Sequence, residues 1–498
     1  MIDEMKVVLY TSSSLLKPAF GVILDEATRL VNEGHDVTIV YCDNAVNYCS
    51  YNPNGISICC MYCRLEFQKC LSLIPKSIKI KSLSTFLSNK RDANIQEYAN
   101  VVDLKGLEYN NVNIGYSAYS LYIDNTRNSE PNIDVSFCRY FNKLLTCAQL
   151  LVDAFGNMLD ILCPDIVFFY NGRLLDVNPL MKLCAIKNID YICLEVYNTS
   201  GKRYKQYYKN STPHNPQYVA FKVKELWNDN MLPLDIKVQI GRSFFERKIS
   251  SLPAGDKVYT LEQKKGCLPE NWDTNKCNII IFNSSEDELS SLGDDFEKKN
   301  LFSSQYSGIV YLLELFKDNF DYHFYLRIHP NLKGVRYSYH MDLYTLPYSY
   351  KNVTIISPVD IIDSYALMNA GDKIVVFTSS MGVEASYWGK PVILLGNTFY
   401  YDLDICYKPS NKKEIYSLIV SQLEPKSNLD SIKYAYYLFH RYDCERWKYV
   451  DFDEIHFNLL GKDIECANYQ KFMGSNFLFA IRHLIIIGIV KLTSLFKL

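Results

Sequence analysis

The sequence has little of what marks a nucleic-acid-binding, exported or repetitive chain. Its 498 residues carry 53 Lys plus Arg against 55 Asp plus Glu, a formal charge of -2, so no net field recruits a polyanion. Nucleic acid is therefore not expected among its partners. The opening Met1-Ile2-Asp3-Glu4-Met5-Lys6 lacks the basic region and the longer apolar stretch of a signal peptide, which predicts a cytoplasmic body. The 16 cysteines then read as reduced thiols, not as a disulfide framework. No short-period repeat points to a solenoid. Nor is disorder the theme, since 48% of residues are hydrophobic and the length suits several domains with sizeable cores. What the chain has in quantity is tyrosine, 40 residues, which together with abundant Asn is consistent either with a bias in nucleotide composition or with polar, stacking recognition of sugars.

Apolar spacing lays out two α/β series. Lys6 to Tyr10 reads as a buried strand. Phe20, Ile23, Leu24, Ala27, Leu30 and Val31 then recur at helical spacing, and Val37 to Tyr41 is a second strand after the turn at Gly34. That is a β-α-β unit, the start of a parallel sheet. Ile56 to Cys60 is expected as a third strand, and 92–135, rich in Asn, Tyr and Ser, as irregular structure. A helix over 136–160, the strand Ile166 to Tyr170, a helix near 177–187 and the strand Tyr191 to Leu194 continue the alternation. The polar stretch 200–276, with Pro253-Ala254-Gly255 and Gly266-Cys267-Leu268-Pro269, reads as a linker.

A second series begins at Asn278 to Phe282. It runs through a helix near 307–318, strands Tyr322 to Ile328 and Val353 to Ile356, a helix near 360–369, Lys373 to Phe377, a helix from Met381, and Val392 to Leu395. The expected organisation is one lobe over 1–270, a second over 277–450, and a tail at 471–498. No uncharged run in that tail approaches the roughly 20 residues needed to span a bilayer. Lys471, Ser475, Arg482, His483, Thr493 and Lys497 project onto one face, as in a basic amphipathic helix lying on the inner membrane surface. A helix packed on a lobe or on a dimer partner has the same pattern.

Two segments carry the readable chemistry. Thr378-Ser379-Ser380-Met381-Gly382-Val383-Glu384 follows a strand and opens a helix, where free backbone N–H groups and the helix dipole favour a phosphate. Glu384, one turn in, is placed to accept hydrogen bonds from ribose hydroxyls. The same residues also describe an ordinary capped helix, with Ser379 or Ser380 as cap and Glu384 as the capping acid. Leu326-Arg327-Ile328-His329-Pro330-Asn331 ends another strand of the same lobe. Ligands of open parallel sheets collect at such ends, so Arg327 and His329 are expected to meet a leaving phosphate. An ion-pairing role for Arg327 and a loop-capping role for His329 are the alternatives.

Together, His329-Pro330 and the paired Ser379-Ser380 before a helix resemble the His-Pro and Ser-Ser motifs of bacterial sialyltransferases and Kdo transferases, which have the GT-B fold. More broadly, the stretch from Phe282 through Ser284, Ser285 and Glu288, Arg327 to Asn331, and Ser380 to Pro391 resemble capsule-polysaccharide and O-antigen biosynthesis proteins. The resemblance is strongest over about 278–402, and thinner before it, at Gly34-His35-Asp36-Val37 and Asn171-Gly172-Arg173. It implies an α/β protein of two Rossmann-like lobes around a cleft, with a nucleotide-sugar held by the C-terminal lobe and a glycan or lipid-linked acceptor by the N-terminal one. It implies phosphate contact at His329, Ser379 and Ser380, with Pro330, Met381, Gly382, Ser284 and Ser285 beside them. The His-Pro pair tilts the donor towards CMP-linked acidic sugars, with UDP and GDP open.

The acidic pair followed by glycine that supplies the sialyltransferase base has no match in the first lobe, where Asn32-Glu33-Gly34 comes nearest. The base is therefore sought at that lobe's strand ends: Glu195 first, then His214, with Asp176 beside Asn171-Gly172-Arg173. No Asp-x-Asp stands out as a metal site, Asp402-Leu403-Asp404 reading as incidental, so transfer without a metal cofactor is expected. Six cysteines fall between 42 and 70. Cys60 and Cys63 have knuckle spacing, and Cys42 and Cys49 could complete a structural zinc or iron–sulfur site; small core thiols are the alternative. A sugar-nucleotide epimerase and a non-catalytic sugar-nucleotide-binding scaffold are the competing functional classes.

Overall fold

The computed structural model describes residues 3–15, 17–87, 97–199, 202–254, 258–289, 292–439, 444–453 and 456–465. The expected tail helix at 471–498 lies outside the described residues.

The first lobe opens with β1 (Lys6–Thr11), α1 (Lys17–Asn32), β2 (Asp36–Tyr41), α2 (Ser57–Leu71) and β3 (Lys79–Ser82). Next come α3 (Val101–Lys105), a hairpin of β4 (Glu108–Tyr109) and β5 (Val112–Asn113), α4 (Gly115–Thr126) and α5 (Val135–Leu162). β6 (Ile166–Tyr170), α6 (Asn178–Ile186), β7 (Asp190–Thr199) and β8 (Lys202–Lys209) follow. The chain then passes through α7 (Pro216–Asn228) and α8 (Leu234–Ile249) into β9 (Cys277–Phe282), α9 (Glu286–Leu289), α10 (Asp294–Glu297) and α11 (Gln305–Leu315). β10 (Tyr322–Arg327), α12 (Ser338–Met341), α13 (Leu346–Ser349), β11 (Val353–Ile356), α14 (Ser364–Ala370) and β12 (Lys373–Val376) continue the second lobe. α15 (Met381–Tyr387), β13 (Val392–Leu394), α16 (Glu414–Val420) and α17 (Leu429–Phe439) finish it. The chain returns to the first lobe as β14 (Cys444–Arg446) and a meander of β15 (Val450–Phe452), β16 (His456–Leu459) and β17 (Lys462–Glu465).

The first sheet has the order β14-β8-β7-β6-β1-β2-β3, in which β8 alone runs against the other strands and so pairs antiparallel with both β7 and β14. The second, β11-β10-β9-β12-β13, is parallel throughout. Both are doubly wound. From β1 the chain winds outward through β2 and later returns to β6 on the other side; from β9 it winds through β10 and returns to β12. Each reversal leaves a crevice outside the carboxyl ends of the strands, where such sheets bind ligands.

Strand alternation splits each core in two. Val8 and Tyr10 of β1 face α4, α5 and α6 with Phe141, Leu151 and Phe155. Val7 and Leu9 face α1 and α2 with Phe20, Ile23 and Phe67. In the second lobe, Ile280 and Phe282 pack with Val219, Phe245 and Tyr436, while Ile279 and Ile281 pack with Leu312, Phe316 and Ile415. Helices α7 and α8, within the 1–270 span expected for the first lobe, thus bury their apolar faces in the second. Gly241 of α8 allows close approach there: a Cβ would lie 2.5 Å from the Ile432 carbonyl of α17.

Three local expectations are corrected. Ile56 to Cys60 belongs to helix α2, not to a strand, and the third strand is β3. Short apolar runs fit either structure, and here Asn52 accepts the Ile56 N–H at 2.8 Å just before the helix. The stretch 92–135 holds α3, the hairpin and α4. The polar segment after 200 begins with β8, whose buried Lys205 pairs with Asp25 at 3.0 Å and Glu26 at 2.7 Å.

Asp25 ties the returning chain to the first lobe. Its Oδ1 accepts the backbone N–H groups of Lys448, Tyr449 and Val450 at 3.0, 2.7 and 3.0 Å. Replacing it by alanine leaves three backbone donors unmatched and removes one of the two carboxylates that hold the buried Lys205 ammonium. Asp25→Ala is expected to lower unfolding stability in urea by about 3 kcal/mol, the scale of breaking a buried pair. A loss under about 1 kcal/mol, typical of an exposed pair, would contradict this role.

Candidate active site

The carboxyl ends of the two sheets face each other across a cavity of about 1440 Å³. On the first-lobe side, β6 ends at Asn171 and Gly172, both left-handed with φ 62° and 77°. This double reversal, natural for Asn-Gly, turns Arg173 towards the second lobe, where its guanidinium donates to the Glu288 carbonyl at 3.3 Å. His214, Ser211, Asn178 and Lys182 line the same wall. Opposite stand Glu286, Phe296, Glu297 and Asn397. Burial pushes the Lys182 ammonium down to about 8, and its Nζ donates to the Asn113 carbonyl at 2.7 Å.

Ion pairs close the seam. Lys105 lies 2.8 Å from Glu297. Arg127, at the left-handed end of α4, lies 2.6 Å from Asp287 and also donates to Ser285 Oγ and the Asn331 carbonyl at 3.2 and 3.0 Å. The Tyr339 hydroxyl donates to the Arg127 carbonyl at 2.7 Å.

A second cavity of about 320 Å³ sits at the reversal between β9 and β12, lined by Glu286, Glu297, Ser304, Gln305, Phe377 and Thr378. A third, of about 230 Å³, brings Thr378, Ser380 and Glu384 together with Phe244, Phe399 and Tyr434, and with Tyr197 of the first lobe. Ser380 and Glu384 therefore share a cavity. Glu384 is buried and accepts hydrogen bonds from the Tyr365 hydroxyl and, at 3.5 Å, from Ser380 Oγ. Ser379 Oγ accepts the Met381 N–H at 3.3 Å, and its carbonyl receives the Tyr400 hydroxyl at 2.6 Å. A side chain at Gly382 would run into that same hydroxyl.

The other expected donor-site residues are held by the protein itself. Ser284 N donates to Gln305 Oε1 at 2.9 Å, and Ser285 Oγ donates to Asp287 at 2.6 Å. His329 N donates to Asn283 Oδ1 at 2.8 Å, while its Nδ1 accepts the Asn331 N–H at 3.2 Å, shaping the turn that starts at Pro330. Arg327 differs from expectation. Its guanidinium is buried and donates to the Ser357 and Asp360 carbonyls at 3.0 and 3.3 Å, so it braces the loop after β11.

The three first-lobe acid–base candidates diverge. Asp176 is buried and accepts from Ser50 Oγ at 3.2 Å, burial raising its carboxyl above the usual range. Glu195 accepts from Asn171 Nδ2 at 2.5 Å, beside Tyr170. His214 alone of the three lines the large cavity. Its Nε2 is buried without a hydrogen-bond partner among the described residues, and burial, reinforced by the charge of Arg173, holds the imidazole down at about 3.

The metal site expected at Cys42, Cys49, Cys60 and Cys63 is not assembled. Among the described residues, no three His, Cys, Asp or Glu side chains converge to hold an ion. Cys60 accepts from Asn52 Nδ2 at 3.2 Å and Cys63 from the Ser14 N–H at 3.3 Å. Burial pushes the Cys42 thiol up to about 12 and Cys49 well above its ordinary value, the reverse of what a thiolate ligand needs. Asp402 and Asp404 pair with Lys299 and Lys426, at 2.8 and 2.9 Å.

Sequence reasoning missed Lys105, Arg127 and Glu286. Glu286 stood in a motif already singled out, directly after a strand end. Its buried carboxyl is raised to about 7 by burial, with Glu130 and Asp287 adding negative charge.

Two doubly wound lobes facing across a cleft make the fold GT-B type. Residues 295–423 match the family model of capsule polysaccharide biosynthesis proteins. Among solved structures, the chain is similar to a KpsC β-Kdo 2,4 transferase of Thermosulfurimonas dismutans at 13% identity and TM-score 0.34, over 55% of this chain and 79% of that one. It is also similar to the UDP-GlcNAc 2-epimerase of Methanocaldococcus jannaschii at 13% identity and TM-score 0.25, over 86% and 98%. The calicheamicin glycosyltransferase CalG4 matches at 11% identity and TM-score 0.26, over 88% and 94%. No curated protein matches the chain.

His214 gives the site a pH signature. Between its ordinary value of 6.5 and about 3 the unfolded chain binds a proton that the folded one excludes, so this group removes stability as pH falls through that window. His214→Gln is expected to shrink the loss of urea stability between pH near 7 and pH near 4.5. An unchanged difference would place His214 in an open, solvated setting.

Proposed function

We propose that the protein is a glycosyltransferase of bacterial surface-polysaccharide biosynthesis, moving a sugar from a nucleotide-sugar to a glycan or lipid-linked acceptor. The observation that carries this reading is the large cavity between the carboxyl edges of two doubly wound sheets, in a chain whose second lobe carries the capsule-biosynthesis match. Several features support the assignment of sides. The smaller cavity at Ser380 and Glu384 combines aromatic walls with a carboxylate, a pairing suited to a nucleobase and a ribose. Lys105, Arg173, Lys182, Lys298 and Lys299 line the large cavity, with Lys105, Arg173 and Lys299 in ion pairs with Glu297, Asp124 and Asp402, and are the cations a diphosphate or an acidic sugar would meet there. The acceptor belongs on the His214 wall. Transfer without a divalent metal remains part of the proposal, since Asp402 and Asp404 are each paired with a lysine. So does cytoplasmic work at a membrane face, for which the tail at 471–498 is the proposed contact.

Thermal stabilisation by CMP, UDP, GDP and dTDP tests the donor site. A nucleotide at 100 times its dissociation constant is expected to stabilise the native state by about 2.7 kcal/mol. Ser380→Ala and Glu384→Gln should each lose most of that shift. Absence of stabilisation by all four nucleotides would overturn the reading.

A further inference from the structure

Glu286 lies where the cavity at the strand reversal of the second lobe adjoins the large cavity between the lobes. It follows the carboxyl end of β9, the central strand of the second sheet. Its side chain is shared by the walls of the 320 Å³ cavity at the strand reversal and the 1440 Å³ cavity between the lobes. The Gln305 N–H, donating to Oε1 at 3.1 Å, fixes the carboxyl in place. Across the larger cavity, Asn178 Oδ1 and Ser211 Oγ are buried without hydrogen-bond partners among the described residues. Both residues line that cavity on its first-lobe side.

We infer that Glu286 is the general base of the transfer, taking the proton of an acceptor sugar hydroxyl held between it and the Asn178 and Ser211 wall. The inference rests on the glycosyltransferase reading. In the step, the hydroxyl proton moves to the Glu286 carboxylate, and the freed oxygen pair forms the bond to the anomeric carbon. The bond from that carbon to the donor phosphate breaks, its electron pair leaving on the nucleotide. The proton then passes to water.

The other candidates suit the task less well. Asp176 and Glu195 do not line the large cavity. His214 lies in the cavity, but burial, reinforced by the Arg173 charge, opposes an imidazolium there. Glu286 faces Glu130 and Lys105 of the first lobe and Asp287 of its own helix, with Glu297, Tyr119 and Tyr339 on the surrounding elements. Burial and this surplus of negative charge bring it close to neutrality, where a group can both take and release a proton.

The test uses the full chain and the nucleotide-sugar whose nucleotide stabilises it, with methyl pyranosides as acceptors and nucleotide release as the readout. Glu286→Gln is expected to lower turnover about 100-fold or more, the usual worth of a general base, while keeping the nucleotide-induced thermal shift. Wild-type turnover should rise with pH through an inflection near 7, and Glu286→Asp should keep partial activity with that inflection displaced. Turnover within threefold of wild type in Glu286→Gln, or a wild-type rate that falls through neutral pH, overturns the assignment while leaving the donor site standing. Absence of any nucleotide-induced shift in the wild type overturns the glycosyltransferase reading and this inference with it.

Discussion

The pair between Arg127 and Asp287 is the contact on which the geometry of the site depends. It joins the end of α4 in one lobe to the start of α9 in the other, the positions from which the facing walls of the cleft are built. Asp287 is buried and Arg127 partly exposed, with side chains 6% and 37% accessible. The pair therefore lies between a surface bridge, worth about 0–1 kcal/mol, and a buried one whose breaking costs about 3–5 kcal/mol. Opening the lobes would leave the Asp287 carboxylate without its cation. Lys105 and Glu297 repeat the arrangement nearby, so the two strand-end crevices are held facing each other and form one cavity.

The strands of the second lobe were legible because they are short apolar runs separated by amphipathic helices, and all five fall where spacing places them. Helix α2 was not legible, and its cysteines show why. Cys59, Cys63, Phe67 and Cys70 recur at helical spacing and are buried, so thiols form the apolar stripe of a helix. A clustering that looks like a ligand set is a packing face. Strand β8 was hidden for the opposite reason: its buried face carries Lys205, which only the distant Asp25 and Glu26 make tolerable. Helix α4 buries Tyr119, Tyr122, Ser117 and Ser120, residues with too little apolar contrast to reveal a period.

The site divides along the same line. Ser380 and Glu384 are one helical turn apart, and such local spacing survives into a shared cavity. Arg327 answers to carbonyls thirty and more residues away, which no local pattern encodes. Proton chemistry is less legible still, because burial sets it. The sequence ranked Glu195 ahead of His214, with Asp176 beside them, on strand-end position alone, and only the folded protein separates a carboxylate tied to Asn171, an imidazole held neutral and an acid sealed against Ser50. Glu286 was passed over because the base was sought in the other lobe.

In the proposed function the donor lies across the carboxyl edge of the second sheet, facing the first lobe. Backbone hydrogen exchange, measured with and without the stabilising nucleotide-sugar, tests it directly. Protection is expected at 284–288, 378–384 and 396–400 in the second lobe, with a smaller effect at 211–217 across the cavity. Protection confined to the first lobe, with those second-lobe segments unchanged, would contradict it.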